Sequence, residues 1–182
     1  TLQLRQLIIF LIFLMQNIQF SIGIFIDLSK AFDTIDHSIL IRKLQHYGIR
    51  GIALNWFKSY LQNRQQYVSI GDNNSYLQFV SCGVPQGSIL GPLLFIVYIN
   101  DIANVSKIAN LVMFADDTNL FYSHDKLDVL CNDINYDLLK ISLWFKLNKL
   151  SLNVKKTNFM IFRPKNKKLP NGEINIKIDD IS

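Results

Sequence analysis

Read as apolar and polar positions, the chain mixes strand-like and helix-like patterns without regular alternation. Ile22-Gly23-Ile24-Phe25-Ile26 is an apolar run fit for a buried strand, and it stops at Asp27. Asp36 stands where a helix cap belongs, with Ile39, Leu40, Lys43 and Leu44 marking helical spacing through Tyr47 before Gly48 ends it. A second helix is predicted over roughly 52–61, carrying Leu54, Trp56, Phe57 and Tyr60. Residues 64–70 and 76–82 read as two strands joined across Gly71-Asp72-Asn73-Asn74. Ser88 then caps an apolar helix over 93–102, with Pro92 in its first turn, where a missing N–H does no harm. The run 111–122 reads as a hairpin, broken at Asp116-Asp117. Leu127, Leu130, Ile134, Leu138, Ile141 and Phe145 give helical spacing over 126–149, and 158–163 and 174–178 read as further strands. This order, dominated by hairpins, predicts an α+β fold with an antiparallel sheet.

Composition adds little to that picture. Apolar content of 49%, with 13 Phe and 7 Tyr in 182 residues, excludes a disordered or fibrous chain and supports one core. Two isolated cysteines, Cys82 and Cys131, offer neither a disulfide framework nor a zinc ligand set, and fit a reducing setting. The apolar run Leu7–Met15 is too short to span a bilayer, and no small-residue cleavage site follows it. No transmembrane span and no secretion are expected.

Charge changes the picture more. The net charge of +5 is concentrated in 138–172, which holds nine basic residues and no acid. Such a block suits a polyanion such as nucleic acid, or an anionic membrane surface, although a solvated helix face looks similar.

The hairpin tip is the unusual feature. Two adjacent acids with apolar flanks repel each other unless a cation or solvent compensates them. A solvated Asp-Asp turn is the simpler explanation. Asp27, however, also ends an apolar strand, and an antiparallel sheet can bring a strand end to a neighbouring hairpin tip. Clustered carboxylates bind Mg²⁺, which completes its shell with waters and phosphates, and two such ions support phosphoryl transfer.

Three blocks now combine: 25–33 (Phe-Ile-Asp-Leu-Ser-Lys-Ala-Phe-Asp), 83–95 (from Gly83-Val84-Pro85-Gln86-Gly87 to Phe95) and Phe114-Ala115-Asp116-Asp117. In order and spacing they resemble the reverse transcriptases of non-LTR retrotransposons, and 150–157, ending in Lys156-Thr157, resembles the family's next block. The resemblance covers roughly 22–162. It implies a polymerase palm, an antiparallel sheet backed by helices, with fingers mostly missing and thumb absent. It further implies RNA-directed DNA synthesis with two Mg²⁺ ions, Mn²⁺ able to substitute, on an RNA template with a DNA primer and deoxynucleoside triphosphates.

Residue by residue, the resemblance assigns Asp27, Asp116 and Asp117 to metal binding and catalysis. It assigns Phe32 to packing under the incoming sugar against a 2′-hydroxyl, where an ordinary core Phe is the alternative. Gln86 and Gly87 would line nucleotide and template, with Gly87 allowing close backbone approach; a plain helix entry is the alternative. Lys156 would protonate the leaving pyrophosphate, or simply belong to the basic block. Arg64 is a candidate phosphate contact on its charge alone, and Asp33 reads better as a turn or cap residue. The expected organisation is an apolar N-terminal remnant over 1–20, a palm over 21–165 and a continuation towards the primer grip over 166–182. A chain of this extent is expected to be inactive or nearly so by itself, intracellular in nucleus or cytoplasm, and without an obligate protein partner. The alternative from another class is a non-catalytic nucleic-acid-binding relic.

Overall fold

The computed structural model describes residues 19–163, 166–169 and 174–178. The Leu7–Met15 run lies outside them, as does most of the segment after 163. In chain order the elements are β1 (Phe20–Ile26), β2 (Leu28–Ser29), α1 (His37–His46), α2 (Gly51–Leu61), β3 (Gln65–Gln66), β4 (Ser69–Ile70), β5 (Asn73–Asn74) and β6 (Gln78–Phe79). There follow α3 (Leu90–Ile99), a 3-10 turn over Asn100–Asn104, β7 (Asn110–Phe114), β8 (Asp117–His124), α4 (Leu127–Leu147), β9 (Ser151–Leu152) and β10 (Asn158–Phe162). The described chain divides into two compact units, one built from residues up to Ser29, Ile102–Leu147 and Ser151 onward, the other from Lys30–Asp101 and Asn148–Leu150.

The first unit is a four-stranded sheet in the order β10-β1-β8-β7, with antiparallel neighbours throughout. The apolar run of β1 explains its central place. It is flanked on both sides, and Ile22, Ile24 and Ile26 are 0–3% exposed. Such strands need apolar residues where both neighbours and the layer behind exclude water. Leu120 and Tyr122 on β8 are as deeply buried, as is Phe121. Helix α4 supplies the layer behind. All six positions expected to face the core, Leu127, Leu130, Ile134, Leu138, Ile141 and Phe145, are buried. At about 1.5–3 kcal/mol for each large apolar side chain, this seam is a major source of the unit's stability.

One acid shares that seam. Asp137 is 1% exposed and accepts a hydrogen bond from the Tyr122 hydroxyl at 3.0 Å, with the Lys140 ammonium at 3.8 Å. Burial first, then the Asp137 charge, pushes the Tyr122 phenol far above its ordinary range.

In the second unit α1 packs on α2 and α3. Asp36 caps α1 as expected, its carboxylate accepting from the Ile39 N–H at 3.0 Å, and Tyr47-Gly48 end the helix. Lys149 donates to the same carboxylate at 2.6 Å, and the Tyr98 hydroxyl donates to the Asn148 carbonyl at 2.7 Å. These bonds fasten the 148–150 segment to the unit.

Three expectations need correction. The strands predicted over 64–70 and 76–82 pair only as two short ladders, β3 with β6 and β4 with β5. Between them Ser75 bonds Val68 through both backbone and hydroxyl, which interrupts the ladder. The turn is accordingly tighter than predicted, since Asn73 and Asn74 are already strand residues. Helix α3 begins at Leu90 and ends at Ile99, its tail tightening into the 3-10 turn. Ser88 still acts as a cap, its hydroxyl accepting from the Gly91 N–H at 3.0 Å. Residues 174–178 form no strand; Ile178 makes a single bridge, and the backbone at Asn175 and Lys177 bonds the Asn135 side chain. No helix among the described residues is long and apolar enough to cross a membrane.

Candidate active site

The β7–β8 hairpin closes on two residues, Ala115 and Asp116, since Phe114 pairs with Asp117. Ala115 carries a φ of 53°, a left-handed conformation that costs a non-glycine residue roughly 1–3 kcal/mol. A positive φ at this position is what a two-residue hairpin turn requires, here met by a non-glycine residue. Asp116 is half-buried and Asp117 exposed.

The β1–β8 register ends with Ile26 opposite Thr118. Asp27 follows Ile26 directly and Asp117 precedes Thr118, so the end of β1 and the Asp116-Asp117 tip lie at the same end of the sheet. A fourth predicted residue belongs to the same unit. The Asn153 N–H donates to the Asp27 carbonyl at 2.9 Å, and the Thr157 hydroxyl accepts from the Asp27 N–H at 3.4 Å. Asp27 is thus held on both sides of its backbone by the turn that carries Lys156, which is exposed. Asn153 and Thr157 are the anchors that the sequence reading passed over. No local pattern announces them, because Asn153 acts through its backbone N–H, which any residue but proline offers, and the Thr157 hydroxyl meets a residue 130 positions away.

None of the three carboxylates has a hydrogen-bond or ion-pair partner among the described residues. Thr118, beside Asp117, is 0% exposed and its hydroxyl is likewise unpartnered. No group of three or more His, Cys, Asp or Glu side chains among the described residues closes into a metal cage. The donor chemistry nevertheless fits a hard divalent cation. Three carboxylates without protein counter-charges leave a negative site that an oxygen-loving ion would neutralise while keeping waters and phosphates in its shell.

The remaining predicted residues belong to the second unit. Phe32 is half-buried and packs on Phe95, ring centroids 4.7 Å apart. Arg64 is exposed, its guanidinium 5.9 Å from the centre of the Tyr60 ring. Gln86 is not an idle loop residue; its Nε2 donates to Asp33 Oδ1 at 2.7 Å. Asp33 is therefore a side-chain partner rather than only a turn or cap residue. Gly87 has φ 74° with open space where a Cβ would stand, so its conformation, not crowding, requires glycine. The basic block is also less uniform than its sequence suggested. Lys149 is spent on Asp36, and Lys167 donates to the Asp125 carbonyl. Lys140 lies 4.2 Å over the Tyr136 ring.

Comparison with known proteins decides the family. The profile described as "Reverse transcriptase (RNA-dependent DNA polymerase)" matches residues 5–174. The chain belongs to the reverse transcriptase family. Among its relatives, the probable RNA-directed DNA polymerase from transposon BS of Drosophila melanogaster is 32% identical over 148 residues, covering 74% of this chain and 16% of that protein. The RNA-directed DNA polymerase from mobile element jockey, also of Drosophila melanogaster, is 25% identical over 180 residues, covering 95% of this chain and 20% of its own length. A type-1 retrotransposable element R2 polyprotein from Popillia japonica is 25% identical over 144 residues, covering 72% of this chain and 23% of its own length. The resemblance to non-LTR retrotransposon reverse transcriptases is borne out. The chain spans about a fifth of the length of these curated relatives.

Solved structures agree on the fold. Telomerase from Candida tropicalis, in complex with a fragment of telomeric RNA, superposes with a TM-score of 0.63 at 12% identity, covering 90% of this chain and 30% of that one. The apo form of the same telomerase, truncated of its C-terminal domain, gives 0.61 at 13% identity, covering 86% of this chain and 34% of its own. The reverse transcriptase fold here is of the polymerase palm type, α+β with antiparallel sheets.

Proposed function

We propose that the chain carries the palm of an RNA-directed DNA polymerase, which adds deoxynucleotides to a DNA primer on an RNA template inside the cell. The observation that carries this reading is the antiparallel sheet that brings Asp27 to the Asp116-Asp117 hairpin tip. Asp27 and Asp116, with Asp117, would hold two Mg²⁺ ions, or Mn²⁺ in their place. When bound, such ions neutralise the phosphates and favour attack by the primer hydroxyl.

The chain's own residues supply the rest. The two-residue hairpin tip would present Asp116 at the end of the sheet. The Asn153–Thr157 turn holds both the Asp27 backbone and the segment bearing Lys156. Lys156 would keep a proton at Nζ for the leaving pyrophosphate, and its exposed ammonium suits that role. Phe32, seated on Phe95, would pack under a deoxyribose and crowd a 2′-hydroxyl. Gln86, Gly87 and Arg64 would line the strand being copied.

The test is a segment exchange. Residues 19–163 replace the matching segment of the jockey polymerase of Drosophila melanogaster, and primer extension on an RNA template is measured. The reading predicts extension that Asp116→Asn abolishes. A chimera that unfolds cooperatively, and binds RNA in a salt-sensitive way without extending a primer, would instead support a non-catalytic nucleic-acid-binding relic.

A further inference from the structure

The second unit ties two distant stretches of chain together at one spot. The Gly83 N–H donates to the Ile35 carbonyl at 2.8 Å, and the Val84 N–H to the Phe32 carbonyl at 2.9 Å. His37 Nε2 lies 2.7 Å from the Gly83 carbonyl oxygen, and Cys82 bridges Asp36 in antiparallel fashion. A Cβ on Gly83 would stand 2.7 Å from the Asp33 carbonyl oxygen, so the contact admits only glycine. On this clamp Gln86 Nε2 donates to Asp33 Oδ1 at 2.7 Å. Both side chains line a cleft of about 670 Å³ together with Lys30, Arg64 and Phe79.

An ionised carboxylate only accepts hydrogen bonds, and only the nitrogen of a glutamine amide donates them. The pairing therefore suits one of the amide's two flips. The Gln86 Oε1 turns away from Asp33, and it has no donor among the described residues. We infer that Asp33 is a positioning residue, which sets the Gln86 amide so that Oε1 offers a fixed acceptor to a base N–H or sugar hydroxyl of a nucleotide in the cleft. The identity of that ligand rests on the polymerase reading; the orientation of the amide does not.

Two measurements on the full chain test this. In the amide spectrum, one of the two Gln86 Nε2 protons should be protected from solvent exchange, and Asp33→Ala should remove that protection. In fluorescence anisotropy with an RNA–DNA primer–template heteroduplex, Asp33→Ala and Gln86→Ala should each weaken binding roughly three- to tenfold. The double variant should be no weaker than either single one, because both act through the same bond. Additive losses, or a Gln86 amide signal indifferent to Asp33→Ala, would overturn the inference. Failure of the unmodified chain to bind heteroduplex would instead count against the polymerase reading and the assigned ligand, leaving the amide spectrum to decide on Asp33.

Discussion

The chain contains two hairpins that look alike in sequence and differ in what covers them. Both carry apolar residues on either side of a short polar break, Leu111–Phe114 and Leu120–Tyr122 in one, Tyr67, Val68, Ile70, Tyr76, Leu77 and Phe79 in the other. In the β7–β8 hairpin, Leu120, Phe121 and Tyr122 are 1–2% exposed, since β1 pairs along β8 and α4 packs against it. In the 65–79 hairpin, Ile70, Tyr76 and Phe79 are 71–91% exposed, and its strands pair over two residues at a time. Apolar flanks make a strand possible; a neighbour makes it long. The covered hairpin can also hold a strained tip, because its packed strands over-determine the turn.

This contrast can be broken by truncation. Phe121→Ala should cost about 3–5 kcal/mol in denaturant unfolding, as expected for a large buried aromatic. Phe79→Ala should stay within about 0.5 kcal/mol. Equal costs would mean that the 65–79 hairpin is covered after all. The next effect is conformational. Gly83→Ala meets both a φ of 83° and a backbone oxygen at 2.7 Å, so it should cost more than the roughly 1–2 kcal/mol of a left-handed alanine alone. Gly87→Ala, with open space at its Cβ, should cost only that amount.

A smaller loss is expected from Tyr122→Phe, which leaves the buried Asp137 carboxylate without its hydroxyl donor and should cost about 1–3 kcal/mol. Tyr76→Phe on the exposed hairpin should leave unfolding unchanged.

The smallest effect follows pH. Partial burial works to raise the Asp36 carboxyl, but the Lys149 ammonium, the Ser38 hydroxyl and the Ile39 N–H outweigh it and hold it well below the usual carboxylate range. The fold thus favours the charged form. Its contribution is present above the unfolded value of about 4 and is lost as pH falls towards the depressed folded value. Asp36→Asn keeps a capping side chain but loses the Lys149 ion pair, so it should cost no more than about 1 kcal/mol near neutrality and flatten the acid limb of the stability curve.

How much of this was legible depended on whether the deciding partner was local. The Asp36 cap and the α4 seam were readable because cap and periodicity are properties of a few adjacent residues. The family was readable through the blocks that carry the three acids, and a profile match over residues 5–174 agrees. The Asp33–Gln86 bond was not, because it joins residues 53 apart through a backbone clamp that no local pattern announces. Residues 174–178 failed for a related reason. Their alternation is that of a strand, but Asn135 takes up backbone bonds that a sheet partner would have needed. The basic block was legible only in part, since charge counts do not show which ammonium groups are already paired, as Lys149 is with Asp36.

The central claim, that Asp27, Asp116 and Asp117 form one divalent-cation site, is tested most directly by titrating Mn²⁺ into the chain and following paramagnetic broadening of its backbone amide signals. The account predicts broadening centred on Asp27 and the Ala115–Asp117 turn, competed by Mg²⁺ and lost in Asp27→Asn. Broadening spread evenly over the surface acids, or unaltered in Asp27→Asn, would contradict it.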